Sequence, residues 1–170
     1  GKHQSGNNSG VLHCGLSYRP GSLKAKLSVD GINEMISFCK NHNLDHDICG
    51  KVVVATNDIE IKSLESLAKR GELNGLKGLK FLNKGELKKR EPNLNSLKSL
   101  LVPGEGIVDF HQVMNKLAEL IKNKGGFIHL NSQVRKIVTS NSSSTIILDK
   151  TEQSFDKIIN CTGLFSDRIY

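Results

Sequence analysis

The run His3-Gln4-Ser5-Gly6-Asn7-Asn8-Ser9-Gly10-Val11-Leu12-His13-Cys14-Gly15-Leu16-Ser17-Tyr18 concentrates glycines, short polar side chains and two histidines near the start of the chain. It keeps neither a helical nor a strand period, which argues for a loop rather than a core element. Such a loop offers two kinds of chemistry. Its glycines let backbone N–H groups come close to a phosphate, and an imidazole there moves a proton or orients a carboxylate. Ser9 and Gly10 are candidates for approach to a pyrophosphate, Asn8 for a hydrogen bond to it, and His13 for the proton. The competing reading of His13 is a histidine satisfied by local hydrogen bonds.

A second candidate lies near the other end. The apolar run Lys157–Cys161 reads as a buried strand, followed by Thr162-Gly163 and a helix start at about Ser166-Asp167. That order places N–H groups at the carboxyl end of a strand, the ligand-facing position in open α/β sheets. An ordinary strand-to-helix turn has the same pattern. No GxGxxG or GxxxxGK[ST] phosphate loop is present, and no GxSxG supports hydrolase chemistry.

The elements that must position these residues follow from capping and periodicity. Ser22 caps a helix to about His42, with Leu23, Leu27, Ile32, Met35, Ile36 and Cys39 near one face. Gly31 in its middle either weakens the helix or permits close packing. Lys51–Ala55 is a β-branched strand, and Thr56-Asn57-Asp58 caps a helix through about Arg70. Lys80–Leu82 is a strand and Lys84–Arg90 a short helix that stops at Glu91-Pro92. Leu97–Val102 is a strand, Pro103–Gly106 a turn, and Asp109 with Gln112 a capping box for a helix that Gly125-Gly126 ends. Val113, Leu117, Leu120 and Ile121 line one face of that helix. Strands are then expected at Phe127–Leu130, Val134–Thr139, Thr145–Leu148 and Lys157–Cys161, with a hairpin-like loop at Asn141–Ser144.

With 170 residues, the chain suffices for one domain or for a piece of a larger protein. The net charge of +7 favours an anionic partner: a metabolite, a lipid surface or nucleic acid. The lysines are spread out, however, and the densest run, Lys84–Arg90, reads as a solvated helix face. Few aromatics are available to stack on bases, which argues against nucleic acid. Cys14, Cys39, Cys49 and Cys161 form no CxxC pair and no zinc spacing; they read as small buried hydrophobes in a reducing compartment. The Asn-x-Ser/Thr triplets at Asn7, Asn141 and Asn160 then read as accidental, and no apolar run reaches membrane-span length.

Several motifs in register resemble one family. HQSGNNSGVLHCGLSYRPGSLKAKLSVDG, CGKVVVAT, KKREPNL, GIVDFHQV and CTGLFSDRI are similar, in this order, to segments of the L-2-hydroxyglutarate dehydrogenase family of FAD-dependent, D-amino-acid-oxidase-like flavoproteins. Ser17 departs from it, standing where many relatives carry an aromatic. The resemblance implies an α/β (α+β) fold: part of a Rossmann-like FAD-binding domain with an inserted mixed-sheet substrate domain. It implies FAD-domain parts at 1–45 and 108–170 and a substrate-domain part at 46–107. It also implies a glycine-rich dinucleotide motif upstream of Gly1 and a final flavin- and substrate-binding segment beyond Tyr170, so the isolated piece is expected to be inactive.

By the same resemblance the opening loop lies against the flavin. His13 is then the catalytic base or electrostatic partner, Ser9 and Gly10 contact the pyrophosphate or ribityl chain, and Asn8 and Gln4 are secondary contacts. Val134 offers backbone hydrogen bonds on the adenine side, and Thr162 and Gly163 lie by the diphosphate. The implied reaction is oxidation of L-2-hydroxyglutarate to 2-oxoglutarate with FAD. A membrane quinone or an electron-transfer flavoprotein is the implied acceptor. The implied location is mitochondrial, at the inner membrane, in a eukaryote, and cytoplasmic or peripheral to the membrane in a bacterium. Two alternatives stay open: a related flavoprotein acting on glycerol 3-phosphate or an amino acid, and a non-catalytic basic binding module.

Overall fold

Side-chain caps fix where the helices begin. In the computed structural model, which describes residues 1–140 and 143–169, Ser22 accepts the Ala25 N–H and opens α1, Leu23–His42. Asn57 accepts the Glu60 N–H and opens α2, Asp58–Leu73. Asn83 and Glu86 form a reciprocal capping box at the start of α3, Lys84–Arg90. α3 ends at Glu91, as the following proline requires. α2 runs past Gly71, which packs against Leu16 and Leu79, and yields only at Asn74.

The chain forms two compact units, Gly1–Leu120 and Ile121–Tyr170. The first holds two antiparallel sheets. Three short strands, β1 (Val11–Leu12), β2 (His46–Asp47) and a later β6 (Gly106–Val108), pair in the order β1-β6-β2. The other sheet is β3 (Lys51–Ala55), β4 (Lys80–Leu82) and β5 (Lys98–Val102), in the order β3-β5-β4. A shared core lies beneath them, including Leu12, Cys39, Ala55, Leu64, Leu100, Val102 and Val113. Gly106 sits between two strands so closely that a Cβ there would come within 2.3 Å of the Asp47 carbonyl oxygen. That central strand of the first sheet therefore needs glycine at its start.

Several expectations are corrected here. β1, β2 and β6 were not expected, because two- and three-residue strands exist only through their pairing. Leu23 and Leu27 point outward, 69% and 59% exposed, whereas Ile32 and Cys39 of the expected face are buried, with Ala25 beside them and Met35 and Ile36 packed against the core. Gly31 is not a close-packing site: a Cβ added there would meet nothing within 4 Å. Gly31→Ala should therefore raise the stability of the full-length protein to urea by about 0.5–1 kcal/mol, through helix propensity and a less flexible unfolded chain. An unchanged or lower unfolding midpoint would contradict this.

The capping box expected at α4, Phe110–Asn123, is only half formed. The Asp109 carboxylate accepts from the N–H groups of His111 (2.8 Å) and Gln112 (3.3 Å), as a cap should. The Gln112 side chain does not return to the Asp109 N–H. It reaches across to Asp45, donating to Oδ2 at 2.7 Å and accepting from the backbone N–H at 3.1 Å. The Asp109 N–H goes to the Asp45 carbonyl instead. A long-range clamp has displaced the local one. On the apolar face of α4 only Val113 is fully buried; Leu117 and Ile121 are nearly half exposed.

In the second unit β7 (Lys136–Thr139), β8 (Ser144–Ile147) and β9 (Glu152–Phe155) form a third antiparallel sheet, in that order. Asn141 and Ser142 of the expected hairpin loop lie outside the described residues. β9 was missed because its residues are polar and exposed; its place comes from a tight turn in which Leu148 N–H donates to the Thr151 carbonyl. Conversely, Phe127–Leu130 and Lys157–Cys161 pair with no strand among the described residues, and Phe127 and Ile159 are each 86% exposed. Apolar composition makes a run ready for a ladder but does not supply the neighbour. The expected helix start at Ser166-Asp167 is instead a 3-10 helix beginning earlier, Gly163–Arg168.

Candidate functional site

Register places the central residues of the site. β1 pairs with β6 so that Leu12 faces Gly106. The next residues out along that pair are His13 and Glu105. β3 pairs with β5 so that Lys51 faces Val102, and the Gly50 N–H donates to the Glu105 carbonyl at 2.8 Å. Two ladders therefore converge on Glu105, which sits in the turn between β5 and β6.

Glu105 is 2% exposed. Its Oε1 lies 3.5 Å from Cys14 Sγ, which donates to it. Its Oε2 lies 2.6 Å from Lys51 Nζ and 3.7 Å from His13 Nδ1. Oε2 nevertheless has no partner in hydrogen-bond geometry. The lysine contact is thus chiefly coulombic, and one acceptor position stays free beside the imidazole. The His13 side chain is 55% exposed, so a ligand can reach its outer edge while a buried carboxylate lies behind it.

Burial first, then the Glu105 charge, pushes the Cys14 thiol up to about 11. Cys14 stays protonated near neutral pH and serves as a donor, not a nucleophile. Cys14 and Cys39 are buried as expected, whereas Cys49 and Cys161 are exposed. Iodoacetamide at pH 8 should alkylate Cys49 and leave Cys14 intact in the native full-length protein. Mass-spectrometric mapping checks this, and rapid native labelling of Cys14 would contradict the protonated, buried state.

The rest of the opening loop is held by its own asparagines. Asn8 Nδ2 donates to the Gln4 and Ser5 carbonyls, both at 2.9 Å, and its Oδ1 accepts the Gly10 N–H at 2.8 Å. Asn7 Nδ2 donates to the Lys2 and His3 carbonyls. Asn8 therefore shapes the loop, and the Gly10 N–H is spent inside it. Gly10 has φ +69° and its carbonyl accepts the Val108 N–H at 2.8 Å, which lays the loop on β6. Gln4 and Ser9 are exposed. Beyond His13, Asn74 Nδ2 grips the Gly15 and Tyr18 carbonyls and Arg70 donates to the Ser17 carbonyl, so the end of α2 anchors the other side.

Ser9 and Gly10 border a cleft of about 690 Å³ whose lining also includes His46, Asp45, Asp47 and Asp109. The Asp109 carboxyl is held below its ordinary range by the Gln112 N–H and also by that of His111. A second cleft of about 530 Å³, beside β3 and α2, contains none of the candidate residues.

The remaining candidates belong to the second unit. Val134 is half-buried just before β7. Thr162 is exposed and donates both N–H and Oγ1–H to Asn160 Oδ1, at 3.2 and 2.6 Å. Gly163 is exposed with φ +58°. Sequence reasoning missed Glu105 and Lys51. The available signal was a lone acid in the Pro103–Gly106 turn between two apolar strands, and a lysine opening an otherwise apolar strand.

The family model described as "FAD dependent oxidoreductase" matches residues 1–170. The chain belongs to the FAD-dependent oxidoreductase family. Within it, the chain is 45% identical over 168 residues to an L-2-hydroxyglutarate dehydrogenase of Indibacter alkaliphilus, covering 99% of this chain and 42% of that protein. To the mitochondrial L-2-hydroxyglutarate dehydrogenase of Homo sapiens it is 35% identical over 179 residues, covering 98% and 39%. It thus spans about two fifths of the length of these relatives. Among solved structures, glycine oxidase from Geobacillus kaustophilus superposes with a TM-score of 0.87 at 18% identity, over 97% of this chain and 46% of that one. The mixed α/β architecture of this family member is therefore that of the expected fold. Among the described residues no helix is long and apolar enough to cross a membrane.

Proposed function

We propose that the chain is part of an FAD-dependent dehydrogenase that oxidises L-2-hydroxyglutarate to 2-oxoglutarate, with His13 as the base at the substrate hydroxyl. The observation that carries this reading is the exposed imidazole of His13 beside the buried Glu105 and its half-buried partner Lys51. The family membership and the two L-2-hydroxyglutarate dehydrogenase relatives support the substrate.

The residues fit the cofactor's flavin end. An exposed imidazole backed by a carboxylate is the proton acceptor that alcohol oxidation needs beside a hydride acceptor. Ser9 and Gly10 suit a ribityl chain better than a diphosphate. Ribityl hydroxyls can donate to carboxylates, whereas Asp45, Asp47 and Asp109 around the same cleft repel a diphosphate. Gln4 and Asn8 hold that loop in shape, and Val134, Thr162 and Gly163 are assigned to the adenine and diphosphate end. Segments 1–45 and 108–170 are assigned to the FAD-binding domain and 46–107 to the substrate domain.

When bound, FAD supplies the two-electron acceptor that takes the α-hydrogen as hydride. His13 Nε2 receives the hydroxyl proton, so the C–O bond becomes a carbonyl as both hydrogens leave. The net positive charge provides an attractive field for a dianionic substrate. The electron acceptor is assigned to one of two classes, a membrane quinone or an electron-transfer flavoprotein. The assigned location is the mitochondrial inner membrane in a eukaryote, or the cytoplasm or membrane periphery in a bacterium. Product analysis tests the reading: the full-length, FAD-loaded protein with a dye acceptor should convert L-2-hydroxyglutarate to 2-oxoglutarate. Oxidation of glycerol 3-phosphate or an amino acid in its place would overturn it.

A further inference from the structure

We propose that Glu105, held by Lys51, is a positioning residue for His13: it fixes the imidazole as the Nδ1–H tautomer, so that Nε2 faces outward as the free base. The inference rests on the proposed role of His13 and concerns residues outside the glycine-rich loop.

Three observations carry it. First, the unsatisfied acceptor is in the right place. Oε2 has no hydrogen-bond partner, and the imidazole nitrogen that approaches it is Nδ1. At 3.7 Å the pair is outside hydrogen-bond range. Closing it takes a movement of about 0.8 Å, of the kind that catalytic contacts make when a ligand seats. Second, the carboxylate has little freedom to turn elsewhere. Its backbone is pinned by the Gly50 N–H, Oε1 is occupied by Cys14, and the residue is 2% exposed. Third, Lys51 Nζ, 2.6 Å from Oε2, sets a counter-charge beside the buried carboxyl while Oε2 keeps no hydrogen-bond partner.

The tautomer follows from the acceptor. A carboxylate facing Nδ1 requires the proton on Nδ1, which leaves the lone pair on Nε2. Without that acceptor the imidazole is free to place its proton on Nε2, where it can no longer take one from a substrate hydroxyl.

The test uses the full-length, FAD-loaded protein with ¹⁵N-labelled histidine, at a pH where the imidazole is neutral. The His13 signal is identified by its loss in His13→Gln. The parent should show the Nδ1–H form, and the apolar pair Lys51→Met with Glu105→Leu should shift His13 toward the Nε2–H form. If that pair does not load FAD, Glu105→Met alone supplies the comparison, because Lys51 is 35% exposed and can turn to water. Turnover should fall about tenfold or more with KM little changed. The same substitution made on top of His13→Gln should cost nothing further. A tautomer that does not move, or an equal loss of turnover in both backgrounds, would mean Glu105 is merely structural and would overturn the proposal. If His13→Gln itself turns over at the parental rate, the assignment of the base is wrong, and the tautomer measurement still decides what Glu105 does.

Discussion

Replacing His13 with Gln should lower turnover of the full-length, FAD-loaded protein by about 100-fold or more, at unchanged flavin content. The loss should appear in kcat, because the imidazole is asked to take a proton in the transition state rather than to bind the ground state. The side chain is 55% exposed and its ring contact is the 3.7 Å approach to Glu105. Its removal should therefore leave the fold intact. His42 serves as the control. It lies in the last turn of α1, where its ring packs against Phe38 at a centroid distance of 4.6 Å. Substituting His42 should change turnover by less than about threefold, as expected of a position outside the proposed site. A His13→Gln protein with parental kcat would remove the base from the scheme.

The second large effect concerns stability. Lys51→Met should destabilise the full-length protein by about 2–4 kcal/mol, because it leaves the Glu105 carboxylate buried without its counter-charge. The lower part of that range allows for the partial exposure of Lys51. Adding Glu105→Leu should recover most of the loss, since an apolar pair of similar volume removes the uncompensated charge altogether. Urea unfolding of the two variants beside the parent measures both steps. If Lys51→Met is neutral, the lysine is a surface ion pair like Lys80–Glu86 and contributes little.

The sign with pH follows for the exposed carboxyls that are held low. Asp109 is held below its ordinary range by the Gln112 N–H and then by that of His111. Its capping contribution is therefore present above the unfolded-state value and fades as the pH falls through the lower folded one.

How much of this was legible in the sequence depended on how local each cause is. Ser22 and Asn57 each act on an N–H three residues away, so two helix starts could be read from their caps; Asn83 acts the same way on α3, whose start was read without it. Gln112 shows the limit. Its spacing from Asp109 matches a capping box, yet its partner is Asp45, on a different part of the chain. β1, β2 and β6 are too short to carry a period and exist because two ladders meet on β6. Lys157–Cys161 reads as a strand from composition, whereas the polar segment Glu152–Phe155 is the one that pairs.

The site divides the same way. His13 was visible as an imidazole in a glycine-rich loop. Asn8 was visible as a polar neighbour, but its work inside the loop was not, because both ends of its amide are committed to nearby backbone. Glu105 and Lys51 were invisible for a physical reason. They stand far apart in sequence, each at the edge of an apolar strand, and only the registers Leu12 to Gly106 and Lys51 to Val102 bring them under His13.

The most direct test of the proposed chemistry is an anaerobic half-reaction. The full-length, FAD-loaded protein is mixed with L-2-hydroxyglutarate and no external acceptor, and the flavin absorbance is followed. Bleaching should be complete, with one 2-oxoglutarate formed per flavin. Flavin that stays oxidised with this substrate, but is bleached by glycerol 3-phosphate or an amino acid, would contradict the assignment.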